Sequence, residues 1–124
     1  MPVKIALAAI VALGVLAGAP EARAGGDSKA GRELAIKYCT RCHVVGDANP
    51  YGGIDSTPSF QLLARRADWR ARFSSFFERR PHPVFVRVPN VPRWTDLPSH
   101  VVEFQITLKD VDDIVAFVET LQPK

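Results

Sequence analysis

Methionine occurs once in the 124 residues, at position 1, and cysteine only twice, at Cys39 and Cys42. Two cysteines exclude a disulfide framework and a four-cysteine zinc site. Charge of one sign is also scarce. The formal charge is +3, and it falls to +2 once Lys4, Glu21 and Arg23 near the N-terminus are set aside. That is too little to argue for a nucleic-acid partner. There is no internal repeat and no low-complexity tract after the first residues. No apolar run reaches the roughly 20 residues that a membrane-spanning helix requires.

The longest such run, residues 5–19, follows Lys4 and is interrupted only by Gly14 and Gly18. Ala22-x-Ala24 then supplies a small-x-small cleavage site. Residues 1–24 therefore read as a cleaved export signal, with an uncleaved anchor as the alternative. One domain is expected over residues 25–124, with no membrane span left after cleavage and a periplasmic location. At roughly 100 residues its core is thin, the size at which a covalent or cofactor staple helps most.

Local patterns predict a mostly α domain of three or four helices. Ser28 can cap a helix running to about Tyr38, with Ala30, Leu34, Ala35 and Tyr38 on one side. Residues 60–64 suggest a few helical turns. In "ADWRARFSSFFERR", Trp69, Phe73, Phe76 and Phe77 predict a helix that Pro81 ends. Thr107 and Asp110 form a capping-box pattern ahead of the stripe Val111, Ile114, Val115, Val118 and Leu121, with Phe117 at its edge. Between Pro81 and Thr107 five prolines exclude a helix, and alternating Val84, Val86 and Val88 allow a short extended stretch. A loop so long, yet carrying Phe85, Trp94 and Phe104, is expected to pack over something.

The chemistry centres on residues 39–43, "CTRCH". Two cysteines three positions apart at a helix end can reach the two vinyl groups on one porphyrin edge. The adjoining histidine then lies beneath the ring, with its imidazole available to iron. Export suits this, because haem of that kind is attached outside the cytoplasm. The rival readings are a thioredoxin-like pair, which lacks a βαβ context, a zinc site, which lacks ligands, and a small disulfide loop.

On these residues the chain resembles the small monohaem class I cytochromes c. The resemblance implies an all-α, cytochrome c-like fold of three to four helices around one covalently attached haem c. A proline-rich loop would lie over the distal face. Cys39 and Cys42 would be the anchors and His43 the proximal iron ligand. Gly31, eight residues before Cys39, matches the glycine that lets the family's last helix approach, and Phe117 matches that helix's aromatic. Ala35 stands where the family carries another aromatic, and Tyr38 or Phe117 is expected to fill the space. Pro58, fifteen residues past His43, matches the proline whose carbonyl accepts a hydrogen bond from the ligand's second ring nitrogen; an ordinary turn proline is the alternative.

Family members usually use a methionine sulfur as the sixth ligand, and a chain whose only methionine is Met1 cannot once the signal is removed. Two histidines remain. His100 lies seven residues before the Thr107 cap, about where the family's methionine falls. His82 sits between Pro81 and Pro83. Related cytochromes carry Pro-His-Pro-like stretches without ligating through them, so His100 is placed first, His82 second and an open site third. Imidazole in place of thioether implies a low reduction potential.

The implied function is electron transfer rather than enzymatic catalysis. A gas-binding or sensing haem protein, a thiol oxidoreductase and a cytochrome subunit of a periplasmic dehydrogenase are the alternatives. Expected pocket walls are Pro58, Phe60, Leu62, Leu63, Trp69, Phe73, Phe76, Phe85, Trp94 and Ile106. A basic rim of Arg65, Arg66, Arg70, Arg79, Arg80, Arg87 and Arg93 would dock an acidic redox partner.

Overall fold

The computed structural model describes residues 25–124, so the expected export signal lies outside the described residues. Helix α1 spans Ser28–Cys39. Its cap is Asp27, one residue before the expected Ser28. The Asp27 carboxylate accepts from the amides of Lys29 and Ala30 at 2.8 and 3.1 Å. A carboxylate serves two orphan amides at once and complements the positive end of the helix dipole.

Helix α2 is the short Phe60–Ala64, capped by Ser59, and α3 is Trp69–Ser74. The single helix expected through residue 80 breaks at Ser75. The Ser75 hydroxyl donates to the Ala71 carbonyl at 2.7 Å, competing with the backbone ladder. The chain resumes as a 3₁₀ turn, Phe76–Glu78. The break sends Phe73 into one hydrophobic cluster and Phe77 into another.

A second 3₁₀ turn, His82–Val84, leads into strand β1, Val86–Arg87. Strand β2, Phe104–Gln105, pairs parallel to it, with Val86 opposite Phe104. The extended stretch at Val86 was expected, but its partner 18 residues on was not. The proline-rich segment therefore folds onto a small core of its own: Val86, Val88 and Ile106 are buried with Phe77 and Val111.

Helix α4, Leu108–Glu119, begins with the expected capping box. The Asp110 amide donates to the Thr107 hydroxyl at 3.2 Å and the Thr107 amide to the Asp110 carboxylate at 2.7 Å. Val111, Ile114, Val115 and Val118 of its apolar stripe are buried, Leu121 lies past the helix end and is half-buried, and Phe117, placed at the edge by the periodicity, is buried too. Phe117 shares a core cluster with fully buried Ala35, whereas Tyr38 turns away to stack on Phe104 at 4.4 Å. Of the two residues expected to fill the space beside Ala35, Phe117 is the one that shares its core cluster.

Helices α1 and α4 cross with their backbones nearly touching. A Cβ on Gly31 would lie 1.8 Å from the Asp113 carbonyl oxygen. The Asp113 carboxylate is buried at this crossing and accepts from the Asp27 amide at 2.7 Å and the Lys109 ammonium at 2.6 Å. Burial pushes its pKa up, but the Lys109 and Asp27 hydrogen bonds outweigh burial and leave it below the usual carboxylate value. The described residues are helix-dominated, compatible with the expected all-α class apart from the two-residue ladder. No described helix is long and apolar enough to cross a membrane.

Candidate functional site

The CTRCH motif begins at the last residue of α1 and continues into a turn. The amides of Cys42 and His43 both donate to the Cys39 carbonyl, at 3.1 and 2.8 Å. One tight turn therefore separates the two cysteines, and both face a cavity of about 600 Å³, together with His43. That volume falls within the roughly 300–1,000 Å³ of small-molecule and cofactor sites.

Both thiols are free, so the small disulfide loop is not formed. Burial first, and then the neighbouring Cys42, push the Cys39 thiol up to about 12. A redox-active cysteine needs the opposite shift, toward thiolate. Among the described residues no group of three or more His, Cys, Asp or Glu side chains is placed to hold a metal ion by itself. Neither the thiol-redox nor the zinc reading therefore finds its geometry here.

His43 is held from two sides. Its Nδ1 lies 2.6 Å from the Pro58 carbonyl, and its ring meets Phe60 edge-on at 5.5 Å. A carbonyl can only accept, so Nδ1 carries the proton and Nε2 keeps its lone pair. Burial lowers the His43 pKa, with the Pro58 carbonyl partly offsetting it, which favours the neutral, ligating form.

Across the cavity stands His82. Its Nδ1 lies 3.0 Å from the Arg79 carbonyl, so its Nε2 is likewise the lone-pair nitrogen. Burial, with the Arg79 carbonyl working against it, lowers its pKa too. Phe76 and Phe85 flank the ring at 5.3 and 5.8 Å. The His43 and His82 rings are nearly parallel, 6° apart in plane, with centroids separated by 6.2 Å. Two metal–imidazole bonds of about 2 Å, plus about 1 Å from each nitrogen to its ring centre, span roughly 6 Å. The spacing of the pair is the size that one metal ion between two imidazoles would need. His100 also lines the cavity, from an exposed position in the loop.

Of the expected walls, Pro58, Phe60, Leu63, Phe73, Phe76 and Phe85 line the cavity, and Leu62, Trp69, Trp94 and Ile106 do not. Leu62 and Trp94 are 60% and 52% exposed, while Ile106 belongs to the second core. Sequence reasoning missed Tyr38, Ile54, Val84, Val101, Phe104 and Ile114. Of the seven rim arginines, Arg79 and Arg80 line the cavity, and Arg72 joins them unexpectedly. Arg66, Arg70, Arg87 and Arg93 instead pair with Asp68, Glu119 or Glu103. Among the described residues no Asp or Glu lines the cavity. An apolar slot with cationic groups and no carboxylate suits a flat apolar ligand carrying negative groups.

No protein-family model matches the chain, and neither does any solved structure. Two alanine–tRNA ligases, of Pyrobaculum calidifontis and Pyrobaculum neutrophilum, are 44% and 45% identical over 55 and 47 residues. These spans are 6% and 5% of those enzymes' lengths and 43% and 38% of this chain, and say nothing of a shared activity. Cytochrome c-552 of Bradyrhizobium diazoefficiens is 30% identical over 97 residues, covering 78% of this chain and 77% of its own. Any stretch of 97 residues in a chain of 124 takes in residues 39–43. With that extended likeness running through the paired thiols and the carbonyl-anchored imidazole beside them, the chain belongs to the c-type cytochromes.

Proposed function

We propose that this chain is an exported, periplasmic electron carrier with one haem c, which Cys39 and Cys42 would hold covalently and whose iron His43 and His82 would ligate. The observation that carries this reading is the pair of near-parallel imidazoles 6.2 Å apart, each with Nδ1 on a backbone carbonyl. Haem c bound there supplies a one-electron ferric/ferrous couple. The protein's share is to hold both imidazoles neutral and aligned, and to wall the site with Phe60, Phe73, Phe76 and Phe85 against water. Pro58 and Arg79, through their carbonyls, orient the ligands and raise their basicity. Two imidazoles and no thioether favour ferric iron, and hence a potential below that of His/Met relatives.

The same geometry favours His82 over His100 as the distal ligand. His82 is clamped by a carbonyl and two phenyl rings, whereas His100 is exposed. The test is a visible and paramagnetic-resonance spectrum of wild type, His82→Ala and His100→Ala, with a redox titration of the wild type. Wild type and His100→Ala are expected to be low-spin with a low potential. His82→Ala should turn high-spin and bind carbon monoxide rapidly when reduced. A high-spin His100→Ala beside a low-spin His82→Ala would reverse the assignment. A high-spin wild type would replace the carrier by a gas-binding protein.

A further inference from the structure

The loop after CTRCH contains a side chain that only the three-dimensional arrangement singles out. The carboxamide of Asn49 is fully engaged with the backbone around His43. Its Nδ2 donates to the carbonyls of Thr40 at 3.2 Å and His43 at 2.9 Å, while its Oδ1 accepts from the Val45 amide at 2.8 Å. These three groups precede, belong to and follow the proximal histidine. The Thr40 and His43 carbonyls lie beyond the last residue of α1, where no helical ladder supplies them with donors. Asn49 supplies both with donors from one side chain.

We propose that Asn49 is the positioning residue for the proximal imidazole: by holding the Thr40 and His43 carbonyls and the Val45 amide at once, it fixes the backbone from which His43 directs Nδ1 at the Pro58 carbonyl. The 2.6 Å separation of that pair leaves little tolerance. A rotation of the His43 peptide would lengthen it directly. Further backbone bonds tie the same strip to the loop carrying Pro58: Ile54 N–H to the Cys42 carbonyl and Phe60 N–H to the Val44 carbonyl, each at 2.9 Å. Gly53, at φ +79°, keeps that loop close, since a Cβ there would sit 3.1 Å from the Val44 nitrogen. Among the described residues Asn49 is the side chain that reaches the His43 backbone itself, while Gln61 ties Gly46 three residues on, at 3.1 and 3.0 Å. Removal of Asn49 should loosen the ring's hydrogen bond, make the imidazole a weaker base and so raise the reduction potential.

This assignment rests on His43 being an iron ligand. The test compares wild type, Asn49→Ala and Asp113→Asn as haem-loaded proteins. Asp113→Asn is the control for plain destabilisation, because it weakens the α1–α4 crossing away from the His43 ring. Asn49→Ala is expected to raise the midpoint potential and to shift the ferrous His43 Nδ1–H proton resonance away from its strongly hydrogen-bonded position. Asp113→Asn should lower thermal stability while leaving both readouts at wild-type values. An Asn49→Ala protein that melts earlier yet keeps the wild-type potential and resonance overturns the proposal. Should Asn49→Ala fail to fold, the wild type gives the answer by hydrogen exchange: protected Nδ2 protons of Asn49 support the role, and freely exchanging ones remove it. The two readings fail separately, because a wild type without a covalent chromophore defeats the proposed function, whereas normal haem with an indifferent Asn49 defeats only this assignment.

Discussion

A methyl group at Gly31 would have to occupy space already held by the Asp113 carbonyl, 1.8 Å away. Backbone on both sides leaves no flexible atom to yield, so Gly31→Ala must push α1 off α4. Overpacking of this kind costs about 1–3 kcal/mol, and the rigidity of the site puts the cost at the upper end, about 3 kcal/mol in chemical denaturation. A variant as stable as wild type would mean the helices do not cross this closely. Some single residues could be picked out from the sequence because their chemistry depends on short spacings. The two cysteines and His43 fall within residues 39–43, and Pro58 follows fifteen residues after His43. His82 and Asn49 are different. The case for His82 depends on a ring arriving opposite His43 from a turn 39 residues away. That for Asn49 depends on three backbone groups converging on one amide. Neither arrangement leaves a mark in local composition.

Among the elements, the cap and the main buried face of α4 are legible because what defines them is local: a capping threonine, an aspartate three residues on and an apolar stripe. Helix α3 was overextended because Ser75 breaks it through its own hydroxyl, and because Phe73 and Phe77 are drawn to different cores. Strand β2 leaves no signal in the sequence, since two residues show no periodicity. The α1–α4 crossing also carries a pH signature. The folded pKa of Asp113 lies below its ordinary 3.8. Its stabilising contribution is therefore complete above the unfolded value and is lost as pH falls through the lower folded one. Wild type should lose stability on acidification below about pH 4. Asp113→Asn should be about 1–2 kcal/mol less stable at neutral pH and lose less on acidification. Denaturant midpoints measured from pH 7 to pH 3 check both; parallel curves for the two proteins would remove Asp113 from the account.

At the scale of the whole molecule, positive charge is less available than the run of arginines suggests. Ion pairs with Asp68, Glu103 and Glu119 occupy four of the seven expected rim arginines, while Arg79 and Arg80 remain beside the cavity. Docking of an acidic redox partner would use that pair. Bimolecular transfer rates should then fall as salt rises from about 0.01 to 0.15 M, where the screening length shrinks from about 30 to 8 Å. Arg79→Gln with Arg80→Gln should flatten that dependence. Rates indifferent to salt in the wild type would point to an uncharged docking face. The carbonyl anchors on His43 and His82 have one more consequence, which concerns speed. An electron arriving or leaving shifts charge at the iron, and the surroundings must readjust before transfer is complete. Imidazoles already tied to the Pro58 and Arg79 carbonyls and wedged between phenyl rings have little room to readjust. With both imidazoles ligating iron as proposed, the protein's share of the reorganisation energy should therefore be small, and self-exchange between the two oxidation states correspondingly fast.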